Sequence, residues 1–162
     1  MTRITDIVDN RAAEGFVAEH GLSLLIEHGD ERILFDTGAG AALRPNAAKL
    51  GIDLDDERNY VLEEQALLTE DGVLVTGCCH AGIMNTVQAF RRAVPHIAIR
   101  TIVGGLHLCH ATDEEIAQTG DFLKRLNLER LILLHCTGEA AGAKLKEMLS
   151  CPVVWGAAGT SV

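Results

Sequence analysis

The stretch VLVTGCCHAGIMNTV, Val73 to Val87, decides the fold. Apolar and β-branched residues run up to a glycine, two cysteines and a histidine follow, and from Ile83 the apolar positions recur at helical spacing. A strand, a tight turn bearing potential ligands and a helix are read from it in that order. Downstream the same rhythm repeats: strand Ile97 to Val103, helix Thr112 to Leu126, strand Arg130 to Leu134, helix Glu139 to Leu149. Strands alternating with helices predict a parallel sheet in an α/β fold. Thr112-Asp113-Glu114-Glu115 has the form of a capping box, and Ile116, Leu123 and Leu126 make one apolar stripe behind it. Val153 to Trp155 is compatible with a last strand.

Upstream the chain reads as hairpins. Thr2 to Val8 alternates and is rich in β-branched residues. Leu22 to Gly38 reads as two strands joined across Gly29-Asp30, and Glu64 to Gly77 as a second hairpin turning at Asp71-Gly72. Between them, Ala41 to Leu50 has helical composition and stops at Gly51, the position where a left-handed residue closes a helix. Ile52 to Glu64 is acidic and poorly periodic, and it reads as a loop. Strand periodicity assigns Ile4, Leu24, Ile26, Ile33, Phe35, Val73, Val75, Ile102 and Ile132 to the sheet core.

The chain has 162 residues, 48% of them apolar and 23% charged, which suits a single domain spanning 1–162 with a real core. With 23 acidic against 14 basic residues the net charge is -9, which repels phosphate backbones, so nucleic acid is not an expected partner. No segment approaches the roughly 20 apolar residues of a membrane span, and the N-terminal residues lack the apolar core of a signal peptide. Five cysteines, an odd number, fit reduced thiols of a cytoplasmic protein better than a disulfide framework. Cys109 and Cys151 read most simply as small core residues.

In an open α/β sheet, ligands bind where loops leave the carboxyl ends of the strands. Four strand ends here carry a ligand type: Asp36 after Phe35, His80 after Gly77, His107 after Gly105, and His135 after Leu134. One histidine after a buried strand is usually a hydrogen-bonded structural residue. Three in succession put a shared metal site on an equal footing with the structural reading, and imidazoles with a carboxylate suit zinc. Asp36 is read as a ligand or, better, as a carboxylate that orients a histidine. His20, His28, His96 and His110 lack this placement and are read as surface or capping residues. Cys78-Cys79-His80 as a thiol beside its base is disfavoured, because adjacent side chains rarely point at one another. Cys136 is compatible with a soft ligand or with packing. No phosphate-cradling glycine motif is present.

The pieces HGLSLLIE, ILFDTG, NAAKLGIDL, LEEQALL, TGCCHAGIMNTV, VGGLHL and LHCTGE, in this order, resemble the metallo-β-lactamase superfamily, in particular the small metal-dependent hydrolases related to the dihydropterin ribofuranosylaminobenzene phosphate synthases. The resemblance covers most of Gly21 to Glu139. It implies an αββα sandwich with a metal site at one edge, with His80 and His135 matching ligand histidines, His107 near a further site residue, and Asp36 matching a supporting aspartate. The family's H-x-H-x-D-H motif has no counterpart, and LGIDLDDERNYVLEEQALL runs straight past its place. The expectation is therefore a cut-down αββα sandwich with an internal deletion near residues 53–62. It would hold one zinc or other divalent ion on His80, His107 and His135, act on a small-molecule substrate if active, and assemble as a homo-oligomer, most simply a homodimer. A non-catalytic structural module and a hydrolase completed by a second chain are the alternatives.

Overall fold

The computed structural model describes residues 1–56, 59–62 and 66–161, with 59–62 as backbone. The chain divides into two compact units, Met1–Glu64 with Gly156–Val162, and Gln65–Trp155. Part of the junction expected near 53–62, residues 57 and 58, lies outside the described residues.

The first unit is built on a four-stranded sheet in the order β1-β2-β3-β4, comprising β1 (Thr2–Val8), β2 (Ser23–His28), β3 (Glu31–Phe35) and β4 (Asn59–Leu62). The first three strands are antiparallel, and the pairs Ile4↔Ile26, Ile26↔Ile33 and Leu24↔Phe35 show the register that the alternation predicts. β4 is parallel to β3 and corrects the reading of Ile52 to Glu64 as loop throughout. Asn-Tyr-Val-Leu carries strand-forming residues, but its acidic flanks hide the alternation. Helix α1 (Leu43–Leu50) ends on Gly51 in the left-handed conformation, φ 69°, as expected. It packs Ala47 with Ile7, Val8, Leu25 and Leu34. Asn46, fully buried, donates to the carbonyls of Ile7 and Val17 at 2.8 Å each, which fastens the helix to the chain after β1.

The second unit is the parallel sheet that Val73 to Val87 announces. Its order is β5-β6-β7-β8-β9, comprising β5 (Ala66–Leu68), β6 (Val73–Thr76), β7 (Thr101–Gly104), β8 (Arg130–Leu133) and β9 (Val153–Trp155). Only β5 runs antiparallel, closing a hairpin at Asp71-Gly72 in which the Thr69 hydroxyl donates to Asp71 at 2.6 Å. Helices α2 (Ile83–Ala93), α3 (Asp113–Lys124) and α4 (Glu139–Met148) are the crossovers. Thr112 and Glu115 form the reciprocal capping box, and Ile116, Phe122 and Leu123 are buried. β7 begins four residues later than expected, at Thr101. The carbonyl of Gly72 takes the N–H groups of both Arg100 and Thr101, and residues 97–100 lead in without ladder pairing.

Leu74, Val87, Ile102, Leu131, Leu133 and Leu145 centre the core of this unit. Of the nine residues assigned to the core, Ile4, Leu24, Ile26, Phe35, Val75, Ile102 and Ile132 are buried, whereas Ile33, in the middle of β3, and Val73, the first residue of β6, are half-buried. Cys109 is exposed, which corrects its reading as a core residue, because the loop after Leu108 carries it outward. Cys151 is half-buried. Among the described residues, no helix is long and apolar enough to cross a membrane.

One buried group opposes the fold. Asp6, on β1, is 5% exposed, and among the described residues neither carboxylate oxygen has a hydrogen-bond partner. Burial, reinforced by the charge of Asp9, raises its pKa from 3.8 to about 8.

Two predictions follow from this packing. Ile102→Ala, in the middle of the parallel sheet, is expected to lower the unfolding free energy by about 2–5 kcal/mol, and Thr112→Ala by about 1 kcal/mol, both read from urea unfolding. For Asp6, the folded state keeps a proton that the unfolded chain has already released between pH 3.8 and about 8. The stability contributed by this group is thus complete at low pH and is lost as pH rises to about 8, at about 1.4 kcal/mol per pH unit. Asp6→Asn is expected to remove that slope and to stabilise the protein at neutral pH. Parallel pH profiles of wild type and variant that coincide would refute the assignment.

Candidate metal centre

The carboxyl ends of β6, β7 and β8 are tied together by backbone. The Thr76 hydroxyl donates to the Gly105 carbonyl at 2.9 Å, and the Gly105 N–H to the Gly77 carbonyl at 3.0 Å. On the other side, the Leu134 N–H donates to Gly104 at 3.0 Å, and the Leu106 N–H to the Thr137 hydroxyl at 3.1 Å. Two glycines permit this closeness. A Cβ on Gly104 would lie 2.0 Å from the Thr76 carbonyl oxygen, and one on Gly105 would lie 2.7 Å from the Gly77 oxygen and 2.8 Å from the Cys136 sulfur.

Past these ties the backbone turns sharply. Cys79, His107 and His135 have φ of 60°, 54° and 47°, left-handed values that a residue with a Cβ adopts at a cost of about 1–3 kcal/mol each. Asp36, at the end of β3, has φ 61° as well. Every strand end singled out by its ligand-type residue thus has a left-handed residue at or next to that position.

The three consecutive residues Cys78, Cys79 and His80 point in three directions. Cys79 is buried, meets the Thr86 hydroxyl at 3.5 Å, and has its thiol pKa raised by burial. His80 is exposed, and its ring stands edge-on to that of His107 with centroids 4.7 Å apart. Cys78 turns to the β8 end, where its sulfur lies 3.0 Å from His135 Nε2. The Cys136 thiol donates to the Cys78 carbonyl at 3.2 Å. Burial above all, then the neighbouring Cys78, pushes the Cys136 thiol up to about 12.

Cys78, His135 and Cys136, all half-buried, offer one ligand atom each, and these atoms all lie within 4.8 Å of one another. This is a group that could hold a metal ion. It includes His135 but neither His80 nor His107, so the structure pairs two of the expected imidazoles with each other and sets the third among thiols. The sequence signal for Cys78 was its place one residue past the glycine that ends β6, and for Cys136 its place next to His135. Neither reveals that a 3-10 turn, His135–Thr137, brings His135 and Cys136 back toward the end of β6, where Cys78 stands. Asp36 is engaged within its own unit, where its Oδ1 accepts the N–H of Thr37 at 2.7 Å and its carbonyl accepts the Ser23 hydroxyl at 2.8 Å. His28 meets the Thr2 hydroxyl across the β1–β2 pair at 2.8 Å.

A hollow of about 330 Å³ adjoins His107 and runs between α2 and α3, with Met84, Leu108, His110, Glu115 and Gln118 among its walls. Its size is that of small-molecule sites, and its wall mixes apolar and polar groups as such sites do.

Comparison with known proteins places this geometry. No family model matches the chain. A 7,8-dihydropterin-6-methyl-4-(beta-D-ribofuranosyl)-aminobenzene-5'-phosphate synthase of Methanocaldococcus jannaschii is 35% identical over 74 residues, 45% of this chain and 25% of that protein. An uncharacterized protein of the same organism is 31% identical over 100 residues, 62% of this chain and 36% of that protein. The chain therefore matches between a quarter and about a third of the length of these curated relatives. Among solved structures, Tm1679, described as a metal-dependent hydrolase of the beta-lactamase superfamily, superposes with a TM-score of 0.84 at 21% identity, covering 100% of this chain and 98% of that one. The metallo-beta-lactamase fold protein YhfI from Bacillus subtilis gives 0.58 at 14% identity, covering 100% and 99%. The fold is that of the metallo-β-lactamase superfamily, and the curated match lies in the branch that the sequence resembles.

Proposed function

We propose that the chain is a metal-dependent hydrolase that holds one zinc ion on Cys78, His135 and Cys136 and takes a small-molecule substrate in the hollow beside His107. The observation that carries this reading is the convergence of three ligand atoms from two strand ends within 4.8 Å. Two sulfurs and an imidazole are a donor set for zinc rather than for magnesium or calcium, which prefer oxygen. Three protein ligands also leave a fourth position open, as catalytic zinc sites do, whereas structural sites are closed by four. The likeness to a chain described as a metal-dependent hydrolase supports the reaction class.

When bound, such an ion would supply Lewis-acid chemistry. The chain's own residues would do the rest. Cys136, whose thiol is held protonated by burial, must give up its proton to become a ligand, so loading releases protons. His107 borders the hollow with the His80 ring edge-on to its own, a placement suited to proton transfer with a bound substrate. The 3.0 Å contact between Cys78 and His135 favours one second reading, a thiol nucleophile paired with its base, because that spacing is hydrogen-bond reach. A homodimer, with the chain working in the cytoplasm, completes the proposal.

Metal content of protein purified without chelator, measured by mass spectrometry, tests this. The expected result is about one zinc per chain in the wild type, near none in Cys78→Ser, Cys136→Ser and His135→Ala, and an unchanged content in His80→Ala and His107→Ala. Cobalt substitution is expected to give thiolate-to-cobalt absorption that both serine variants lose. Loss of metal in His80→Ala with retention in Cys78→Ser would move the ion to the imidazoles His80, His107 and His135. A metal-free wild type whose Cys78 is alkylated rapidly, and slowly once His135 is alanine, would favour the thiol nucleophile. A monomer mass in light scattering would remove the dimer.

A further inference from the structure

We propose a second binding site, for a small organic anion with an apolar body such as an aryl or alkyl phosphate, in the hollow where α2 and α3 end and the lead-in to β7 begins. The hollow measures about 350 Å³, and Arg91, His96 and Arg125 face it together with Ile97, Ile99 and Leu126. No carboxylate lines it. In a chain of 23 acidic and 14 basic residues, three cationic or protonatable groups around one acid-free hollow run against the background.

The position of each arginine has an ordinary explanation, which does not account for their convergence. Arg91 lies in the last turn of α2 and Arg125 at the C-cap of α3, where the helix dipole favours a cation by about 0.3–1 kcal/mol. Either residue could satisfy that preference far from the other, yet both line the same hollow. Among the described residues neither forms an ion pair. The Arg125 guanidinium is steadied over the Phe122 ring at 5.7 Å from its centroid.

Two of the three nearby acids are occupied. A shallower depression sharing His96, Ile97 and Ala98 contains Glu70, Asp71, Arg100 and Glu129. There Glu129 pairs with Arg100 at 3.0 Å, and Asp71 takes the Thr69 hydroxyl at 2.6 Å. Guanidinium groups bind oxyanions through paired N–H donors, so two of them over one hollow suit a phosphate or carboxylate. The apolar wall formed by Ile97, Ile99 and Leu126 and a volume well above that of a bare ion select a ligand with a hydrocarbon part. Pro95 to Arg100 precede β7, so this hollow lies at the amino end of the parallel strands, while Cys78, His135 and Cys136 stand at their carboxyl end. The two sites are separate, and this one depends on no metal.

Titration calorimetry on the full chain with phenyl phosphate, inorganic phosphate and phenol tests the site. Phenyl phosphate is expected to bind at least about tenfold more tightly than inorganic phosphate, phenol not to bind, and affinity to fall with added salt. Arg91→Gln and Arg125→Gln are each expected to weaken phenyl phosphate by about tenfold or more, while Cys78→Ser, which disables the candidate metal centre, leaves it unchanged. Circular dichroism of the arginine variants checks that they fold. No binding of phenyl phosphate, equal binding of inorganic phosphate, or unchanged affinity in both folded arginine variants would overturn the proposal. Loss of binding in Cys78→Ser would place the phosphate at the metal centre instead and overturn it equally.

Discussion

The close approach of Gly104 and Gly105 to the end of β6 is the constraint on which the candidate centre depends. Parallel strands pair evenly along their length, but their carboxyl ends normally diverge into separate loops. Here the Thr76 hydroxyl and backbone bonds involving Gly77 and Leu134 converge on two residues without side chains, and the three loops leave the sheet as one bundle. A methyl group at Gly104 would meet the Thr76 carbonyl oxygen at 2.0 Å, so β6 and β7 could not end together. One at Gly105 would press on the sulfur of Cys136 at 2.8 Å. The glycines therefore do more than shape turns; they leave the room that the thiol occupies.

This stitching also explains where strain is tolerated. Cys79, His107 and His135 sit in a left-handed conformation that glycine would adopt without penalty, and the surrounding hydrogen bonds hold them there. Asn127 is the one other described non-glycine residue with positive φ besides these and Asp36, and it follows a helix end, where asparagine adopts that conformation readily. The remaining four stand at or next to the ligand-type residues of four strand ends. A fold selected for stability alone would place glycine at such positions. Keeping cysteine, histidine and aspartate there trades stability for side chains aimed at chosen points.

Much of this was legible before the structure. The parallel run from Val73 onward, the capping box at Thr112 and the glycine stop at Gly51 are local signals, and local physics governs them. Strand β4 was not legible, because four strand-forming residues between acidic flanks carry too weak a period. The strand ends bearing His80, His107 and His135 were found from placement alone, but not how those side chains group. Grouping depends on the direction in which each turn throws its side chain. A left-handed residue changes that direction, and no alternation rule anticipates it. So His135 meets Cys78, fifty-seven residues away in the chain, rather than the other two imidazoles.

Buried polarity separates the two units in kind. In the first, the Asp6 carboxylate has no hydrogen-bond partner among the described residues, and the outcome is a carboxyl group that stays protonated near neutral pH. In the second, Cys136 is also held protonated by burial, but its sulfur is within ligand reach of another thiol and an imidazole. The physics is the same in both places, since burial disfavours the charged form whichever acid is involved. The difference lies in what could reverse it. A divalent cation entering the Cys78, His135 and Cys136 group would supply the charge that makes the thiolate the stable form, whereas Asp6 faces the charge of Asp9, which acts the opposite way. A buried acid with convergent soft donors is thus a different object from a buried acid beside another acid, and only the first has the composition of a metal centre.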